Sequence, residues 1–240
     1  MTSPLRAGGR SPDALRPIAF ELDVQPAAAG SVLIRWGGTH VLCAATFEDR
    51  APLHRSSGGW ATAEYAMLPA ASRPRIKRER PSPSGRSAEI QRLIGRSLRA
   101  ALDLEGLGPR TLTLDCDVLC ADGGTRCAAI TGGYVAATLA IRRLRAATGE
   151  PLPDPRPLAA VSVGVVEGEV RLDLEYTEDA RAEVDLNYVA TASGIVMAAA
   201  TGLSGLIYAA SGSLAYLTMA AMALAGLACA IAAQRYARQE

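Results

Sequence analysis

The sequence predicts an α+β fold in which mixed β-sheets pack against helices. Segments that alternate strictly between apolar and polar residues, the period of a strand, occur between segments with the 3.6-residue period of a helix. Their order is several strands, then helix, strand, helix and more strands, which favours sheets and helices packed in layers. The 240 residues are 49% hydrophobic and 20% charged, a composition that suits a globular protein with a buried core. We therefore expect a single domain over residues 1–240.

A hairpin and a third strand are predicted in the N-terminal part. SVLIRWGGTHVLCAATFE places apolar runs on both sides of Gly37 and Gly38, which is typical of a hairpin turn. GWATAEYAMLP, from residue 59, indicates the next strand.

A basic loop is predicted next, and we use that name for residues 73–80. Prolines and like charges disfavour a packed element here. Clustered cations suit contacts with a nucleic-acid backbone, although a solvated loop has the same composition. The basic residues of the loop are Arg73, Arg75, Lys77, Arg78 and Arg80.

Two helices and one strand follow. SAEIQRLIGRSLRAAL carries one apolar stripe, formed by Ile90, Leu93, Ile94 and Leu98. In TLTLDCDVL the even-numbered positions 112–118 are apolar and the odd-numbered positions 111–117 are threonine or aspartate, so one face of this strand is buried. A second helix is predicted over residues 127–143. LAAVSVGVV and VRLDLEY, joined by a short EGE turn, indicate a second hairpin.

The turn between that strand and the second helix is a candidate anion site. Unpaired N–H groups and the positive end of the dipole favour an anion at a helix N-terminus, and Gly123 and Gly124 permit its close approach. Thr125 adds a hydroxyl and Arg126 a fork of donors. Arg86, just before the first helix, is a second candidate. An ordinary capped turn and a solvated arginine remain the alternatives.

Two aspartates in EDARAEVDLN are candidate metal ligands. Mg²⁺ is held by one or two carboxylates together with substrate phosphates, and Asp179 and Asp185 suit that pattern. A solvated acidic turn is the alternative.

Net charge and cysteine content limit how the chain could bind nucleic acid and which cellular compartment it occupies. The net charge of +1 shows that nucleic-acid binding needs a local basic patch. The five cysteines form no CxxC pair, which favours reduced thiols in the cytoplasm over a metal site. No apolar signal-peptide core is present near the N-terminus, so export is not expected.

The C-terminal part is unusual because residues 186–234 contain no charge. Residues 214–233 are long enough for a membrane span. Nine of those twenty residues are alanine, and the larger side chains fall near one stripe. We therefore favour a buried helix over membrane association.

Six segments together resemble the ribonuclease PH family, the bacterial phosphorolytic exoribonucleases that trim tRNA 3′ ends. They recur in the family's order and at its spacing, between about residues 6 and 187. The segments are GRSPDALRP, GWATAEYAMLP, SGRSAEIQRLIGRSLRA, TLDCDVLCADGGTRCAAITG, AAVSVGVV and DLEYTEDARAEVDLN.

The resemblance implies a ribonuclease PH-type fold, a cytoplasmic homohexamer built as a trimer of dimers, and reversible phosphorolysis of tRNA precursors and other RNA 3′ ends. It implies inorganic phosphate as co-substrate and Mg²⁺ or Mn²⁺ as cofactor. Catalysis and metal binding would fall to Asp179 and Asp185, and the basic loop would bind RNA. The implied phosphate ligands are Arg86, Gly124, Thr125 and Arg126.

The chain departs from the family pattern at a few positions. Ala70 stands where the family usually has arginine, and Cys120 and Cys127 replace glutamine and threonine. From about residue 197 the family's VQGTAEG and charged helix are replaced by VMAAATGLSG and the uncharged segment. A non-catalytic RNA-binding ring subunit of the same fold is therefore the alternative function.

Overall fold

The structure is a computed structural model that describes residues 6–78 and 85–191. All of them belong to one compact unit, Met1–Thr191. The prediction of one domain over residues 1–240 stays a prediction, because residues 192–240 lie outside the described part. The strands are β1 Ile18–Leu22, β2 Gly30–Trp36, β3 Thr39–Glu48, β4 Trp60–Met67, β5 Thr111–Cys120, β6 Leu158–Val166, β7 Glu169–Leu172 and β8 Val184–Thr191. The helices are α1 Gly85–Ala101, α2 Thr125–Thr148 and the short α3 Tyr176–Asp179.

Five strands form the first sheet, in the order β1-β2-β3-β5-β4. The predicted hairpin is β2 and β3, with Trp36 opposite Thr39 across the turn. β4 and β5 are parallel because α1 returns the chain between them, as a parallel pair requires. The even-numbered residues 112–118 of β5 are buried, as the alternation predicted. The odd-numbered residues face away from the core.

The second sheet contains β7, β6 and β8 in that order, and all its pairs are antiparallel. β6 and β7 are the second predicted hairpin. The pairing of β8 with β6 places Asp185 opposite Gly164 and Asn187 opposite Ser162. This register brings the polar residues of β8 to the end of the sheet where the site is found.

Helix α2 contacts strands of both sheets. It runs over residues 125–148, beyond the predicted 127–143 at both ends. It ends where Gly149 adopts φ 73°, and the N–H of Gly149 donates to the carbonyl of Arg145 at 2.9 Å. Since alanines and glycines occupy much of its buried surface, α2 shows no single apolar stripe, and the sequence pattern did not reveal its limits.

Two adjacent glycines of α2 provide a test of this packing. A Cβ at Gly132 would lie 2.9 Å from both Cys43 Sγ and Ile34 Cγ2, whereas a Cβ at Gly133 would lie 3.8 Å from Cys116 Sγ. We expect Gly132→Ala to lower the free energy of unfolding by about 1 kcal/mol, because overpacking outweighs the gain in helix propensity. Gly133→Ala should raise it by up to about 1 kcal/mol. Urea denaturation of both variants measures this difference, and equal effects would contradict the packing.

Among residues 6–78 and 85–191, no helix combines the length and apolar character needed to cross a membrane. The uncharged segment 214–233 lies outside the described residues, so its interpretation as a buried helix stays a prediction.

Candidate active site

One cavity collects most of the residues that the sequence singled out. Its volume is about 1030 Å³, and it lies where β5 ends and α2 begins. The walls come from α1, the β5–α2 turn, the region of α3 and strand β8. The predicted phosphate and metal ligands that line it are Arg86, Gly124, Thr125, Arg126, Asp179 and Asp185.

The β5–α2 turn, residues 121–124, forms one wall of the cavity and is the candidate anion site. Gly123 and Gly124 both have positive φ, at 74° and 66°, and α2 begins at Thr125. A Cβ at Gly123 would lie 2.5 Å from the carbonyl oxygen of Leu174, so only glycine fits there. The first N–H groups of a helix have no intrahelical partner. This turn therefore presents main-chain donors beside the cavity, as an anion requires.

Thr125 is oriented by a buried tyrosine that the sequence analysis did not identify. The Tyr65 hydroxyl donates to Thr125 Oγ1 at 3.0 Å. Burial raises the pKa of Tyr65 above its ordinary value, so the phenol stays protonated and acts as the donor. The Thr125 hydroxyl, as acceptor of that bond, keeps its own proton available for a ligand.

Two arginines supply positive charge at the same site. Arg126 Nη2 donates to Glu89 Oε2 at 3.3 Å, and Arg126 Nε is buried without a hydrogen-bond partner among the described residues. Arg86 is an exposed residue in the first turn of α1. Both guanidinium charges act on Asp179 and on Tyr65. A ligand of negative charge would satisfy the unpaired donor of Arg126.

Asp179 and Asp185 approach the cavity from α3 and β8. Burial, followed by the charge of Asp185, raises the pKa of Asp179, and the nearby arginines oppose this only in part. Within residues 6–78 and 85–191, neither carboxylate forms an ion pair with a basic side chain. The described residues contain no cluster of three or more histidine, cysteine or acidic ligands. Two neighbouring carboxylates without an ion-pair partner among the described residues would suit a Mg²⁺ ion that completes its shell with water and substrate oxygens.

A second group of ion pairs, also missed from the sequence, lies behind the turn. Arg6 and Glu178 are both buried and form a pair at 2.7 Å. Arg16 and Asp173, also buried, pair at 2.7 Å across 157 residues of sequence. The available signal was the string GRSPDALRP, which contains Arg16 and contributed to the family resemblance but suggested no role for it.

The basic loop is divided between two surfaces. Arg73 and Lys77 line the cavity. Arg78 instead lies near Asp117, on the face of β5 that points away from the core. Burial raises the pKa of Asp117, and the charge of Arg78 partly offsets that rise. Arg75 is not among the residues that line the cavity. Arg80 lies outside the described residues.

Three residues at which the chain departs from the family pattern lie at or beside the site, while the departing segment from about residue 197 lies outside the described residues. Ala70 and the exposed Cys120 line the cavity. Cys127 is buried, and its Sγ donates to Asn187 Oδ1 at 3.3 Å. Burial, with the charges of Asp173 and Asp185, raises the pKa of Cys127 to about 12. Cys127 is therefore a neutral packing group, and not a nucleophile.

Comparison with known proteins identifies the family to which the chain belongs. Residues 14–142 match the family described as "3' exoribonuclease family, domain 1". Among similar proteins, ribonuclease PH of Saccharopolyspora erythraea is 55% identical over 200 residues, covering 80% of this chain and 79% of its own. Ribonuclease PH of Methylocella silvestris is 50% identical over 209 residues, with 85% and 88% covered.

Solved structures share the fold at low sequence identity. A subunit of the Archaeoglobus fulgidus exosome with RNA bound to the active site superposes with a TM-score of 0.67 at 22% identity, covering 78% of each chain. Rice Rrp46 has a TM-score of 0.62, also at 22% identity, with 78% and 80% covered. With the sequence match over most of the chain and a cavity built from the same motifs, the protein belongs to the ribonuclease PH family of phosphorolytic 3′–5′ exoribonucleases.

Proposed function

We propose that this chain shortens the 3′ ends of tRNA precursors and other RNAs by phosphorolysis, and that the cavity is where the reaction occurs. The observation that carries the proposal is the convergence in one cavity of a helix N-terminus, two arginines and two carboxylates that form no ion pair with the described residues. These groups come from four separate parts of the chain. Neither histidine, His40 or His54, lines the cavity.

Inorganic phosphate is the nucleophile in this reaction. One of its oxygens attacks the terminal phosphorus, the bond from that phosphorus to the preceding O3′ breaks, and a nucleoside 5′-diphosphate leaves. The departing O3′ takes up the proton that the hydrogen phosphate releases, so the shortened RNA ends in a 3′-hydroxyl. The nucleophile is already an oxyanion, so the reaction needs no general-base histidine. It needs neutralisation of the charge on two anions that must approach each other.

The described residues divide this work between two sides of the cavity. The main-chain N–H groups of Gly123, Gly124 and Thr125, with Arg86 and Arg126, hold the attacking phosphate. Asp179 and Asp185 would hold a Mg²⁺ or Mn²⁺ ion, and that ion would supply positive charge beside the phosphodiester. Arg73 and Lys77 contact the RNA backbone where it enters.

A homohexamer built as a trimer of dimers, located in the cytoplasm, is part of the same proposal. It is supported by membership of the family. Size-exclusion chromatography with light scattering measures the assembly directly.

A phosphate-dependent assay tests the proposed function. A tRNA with a short 3′ extension, Mg²⁺ and phosphate should yield nucleoside diphosphates and a shortened RNA, and omission of phosphate should abolish both products. Arsenate in place of phosphate should still shorten the RNA, since water hydrolyses the mixed phosphate–arsenate anhydride that forms to a nucleoside 5′-monophosphate and free arsenate.

Two results would overturn the proposal. Shortening without phosphate or arsenate would indicate a hydrolase. RNA binding without any shortening would favour the alternative of a non-catalytic ring subunit.

A further inference from the structure

Arg16 lies just before β1, far along the chain from every residue of the cavity named above, yet it reaches the β5–α2 turn. It is 6% exposed, and Asp173, its principal partner, is 1% exposed. The main-chain N–H of Arg16 donates to Asp173 Oδ2 at 2.7 Å, and Nη2 donates to Oδ1 at 2.7 Å. Trp36 Nε1 donates to Asp173 Oδ2 at 2.9 Å. These bonds fix the guanidinium plane.

The electrostatics of Asp173 fit a permanent ion pair. Burial alone would raise the pKa of this carboxyl, but its hydrogen bonds with Arg16 and the charge of Arg16 outweigh burial and hold the pKa below its usual range. The pair therefore stays charged at neutral pH.

The other edge of the guanidinium contacts the anion-binding turn. Arg16 Nη1 donates to the carbonyl of Asp122, and Nη2 to the carbonyl of Gly123 at 3.4 Å. Thr39, which is fully buried, holds the same two residues. Its hydroxyl donates to the Gly123 carbonyl at 2.6 Å and accepts the N–H of Asp122 at 2.9 Å.

These contacts set the direction of the main-chain donors. In a planar trans peptide the N–H points opposite to the C=O. When Arg16 and Thr39 hold the carbonyls of Asp122 and Gly123, the N–H groups of Gly123 and Gly124 point away from Arg16. Both glycines line the cavity.

We propose that Arg16, held by Asp173, is a positioning residue that keeps the β5–α2 turn in the form that binds the attacking phosphate. The inference rests on the proposed function. Arg16 itself need not touch phosphate or RNA, because it acts through the peptide groups of the turn. Thr39 is a second, independent support of the same carbonyl.

Lysine at position 16 would keep the charge but lose the fork that bonds a carboxylate and two carbonyls together. We expect Arg16→Lys to raise the KM for phosphate by about tenfold or more, in line with the loss of hydrogen bonds to a charged group. The KM for RNA and the kcat at saturating phosphate should stay within about twofold of the wild type. Thr39→Val should also raise the KM for phosphate, but by a smaller factor than Arg16→Lys.

Arg10→Lys is the matched control. Arg10 lies in the same network, 3.7 Å from Asp173, and donates to the carbonyl of Ala14 at 3.1 Å. It makes no hydrogen bond with residues 121–124 among the described contacts. The Arg10→Lys variant should have a lower free energy of unfolding than the wild type but the same KM for phosphate. Melting curves of all three variants, with and without phosphate, separate weaker phosphate binding from weaker folding.

The outcomes distinguish this inference from the proposed function. If the wild type releases no nucleoside diphosphate, the proposed function fails. If the wild type is active but Arg16→Lys and Thr39→Val both keep the wild-type KM for phosphate, the positioning role alone is wrong. If Arg16→Lys does not fold, Thr39→Val decides. Equal increases in the KM for phosphate and for RNA would also overturn the inference, because they would indicate general damage.

Discussion

Replacing Asp185 by asparagine is expected to lower the turnover of RNA by about a hundredfold or more, while the chain still folds and binds RNA. Asparagine has nearly the same shape but no negative charge, so a cation shared with Asp179 would be lost or misplaced. Loss of one preorganised electrostatic group in an active site typically costs about 10²- to 10³-fold in kcat. Phosphate-dependent release of nucleoside diphosphate from an extended tRNA, at several Mg²⁺ concentrations, measures the effect.

Asp115→Asn is the control for that variant. Asp115 is likewise an aspartate in a strand, and burial and the charge of Glu64 raise its pKa. It lies on the face of the first sheet that points away from the core, so its neutralisation should leave turnover unchanged. If Asp185→Asn kept full activity, the assignment of this carboxylate to catalysis would be wrong. If it abolished a measurable activity, the non-catalytic alternative would be excluded.

Replacing Arg126 by alanine is expected to raise the KM for phosphate by about tenfold to a hundredfold, with little change in RNA affinity. The variant removes a charge-assisted fork at the N-terminus of α2, and such bonds contribute more than neutral ones. It also removes the buried Nε, which has no partner among the described residues and which a bound anion would satisfy. Initial rates over a range of phosphate concentrations at saturating RNA give the constant.

Two further arginine variants serve as comparisons for Arg126→Ala, one as a control and one with the opposite expected effect. Arg142→Ala, near the other end of α2, removes an exposed side chain paired with Asp154 and should leave both constants unchanged. Arg73→Ala should have the reverse effect of Arg126→Ala. It should weaken RNA binding and flatten its salt dependence by about 0.7 in the log–log slope, the value for one phosphate contact on a single strand. Equal effects of Arg126→Ala and Arg73→Ala on both quantities would refute the separation of roles.

Much of the fold was readable from local patterns. Apolar and polar residues alternate strictly along β5 because only one face of the strand is buried. Successive side chains of a strand point to opposite faces, so the pattern repeats every two residues. α1 likewise has one buried stripe against β4, which the spacing of Ile90, Leu93, Ile94 and Leu98 revealed. The limits of α2 were not readable, since a helix in contact with two sheets has no polar face to contrast with an apolar one.

The candidate site was readable only in part. Gly124, Thr125 and Arg126 are adjacent in sequence, so their common role at a helix start follows from the turn alone. Asp179 and Asp185 lie close in sequence too, but their position opposite that turn depends on the pairing of β8 with β6. The sequence also did not predict how the basic loop divides. Lys77 lies at the cavity, whereas Arg78 lies near Asp117.

The sequence by itself indicated most of the strands and helices, although not β1 or α3, together with a candidate anion-binding turn and the family of the chain. These are properties of short segments, where periodicity and turn residues act locally. Only the tertiary structure decided that Tyr65 orients Thr125, and that Arg16 reaches Asp173 and the turn together. Arg16 and Asp173 are 157 positions apart, so their contact depends on how the sheets bring distant segments together, and no local pattern records that distance.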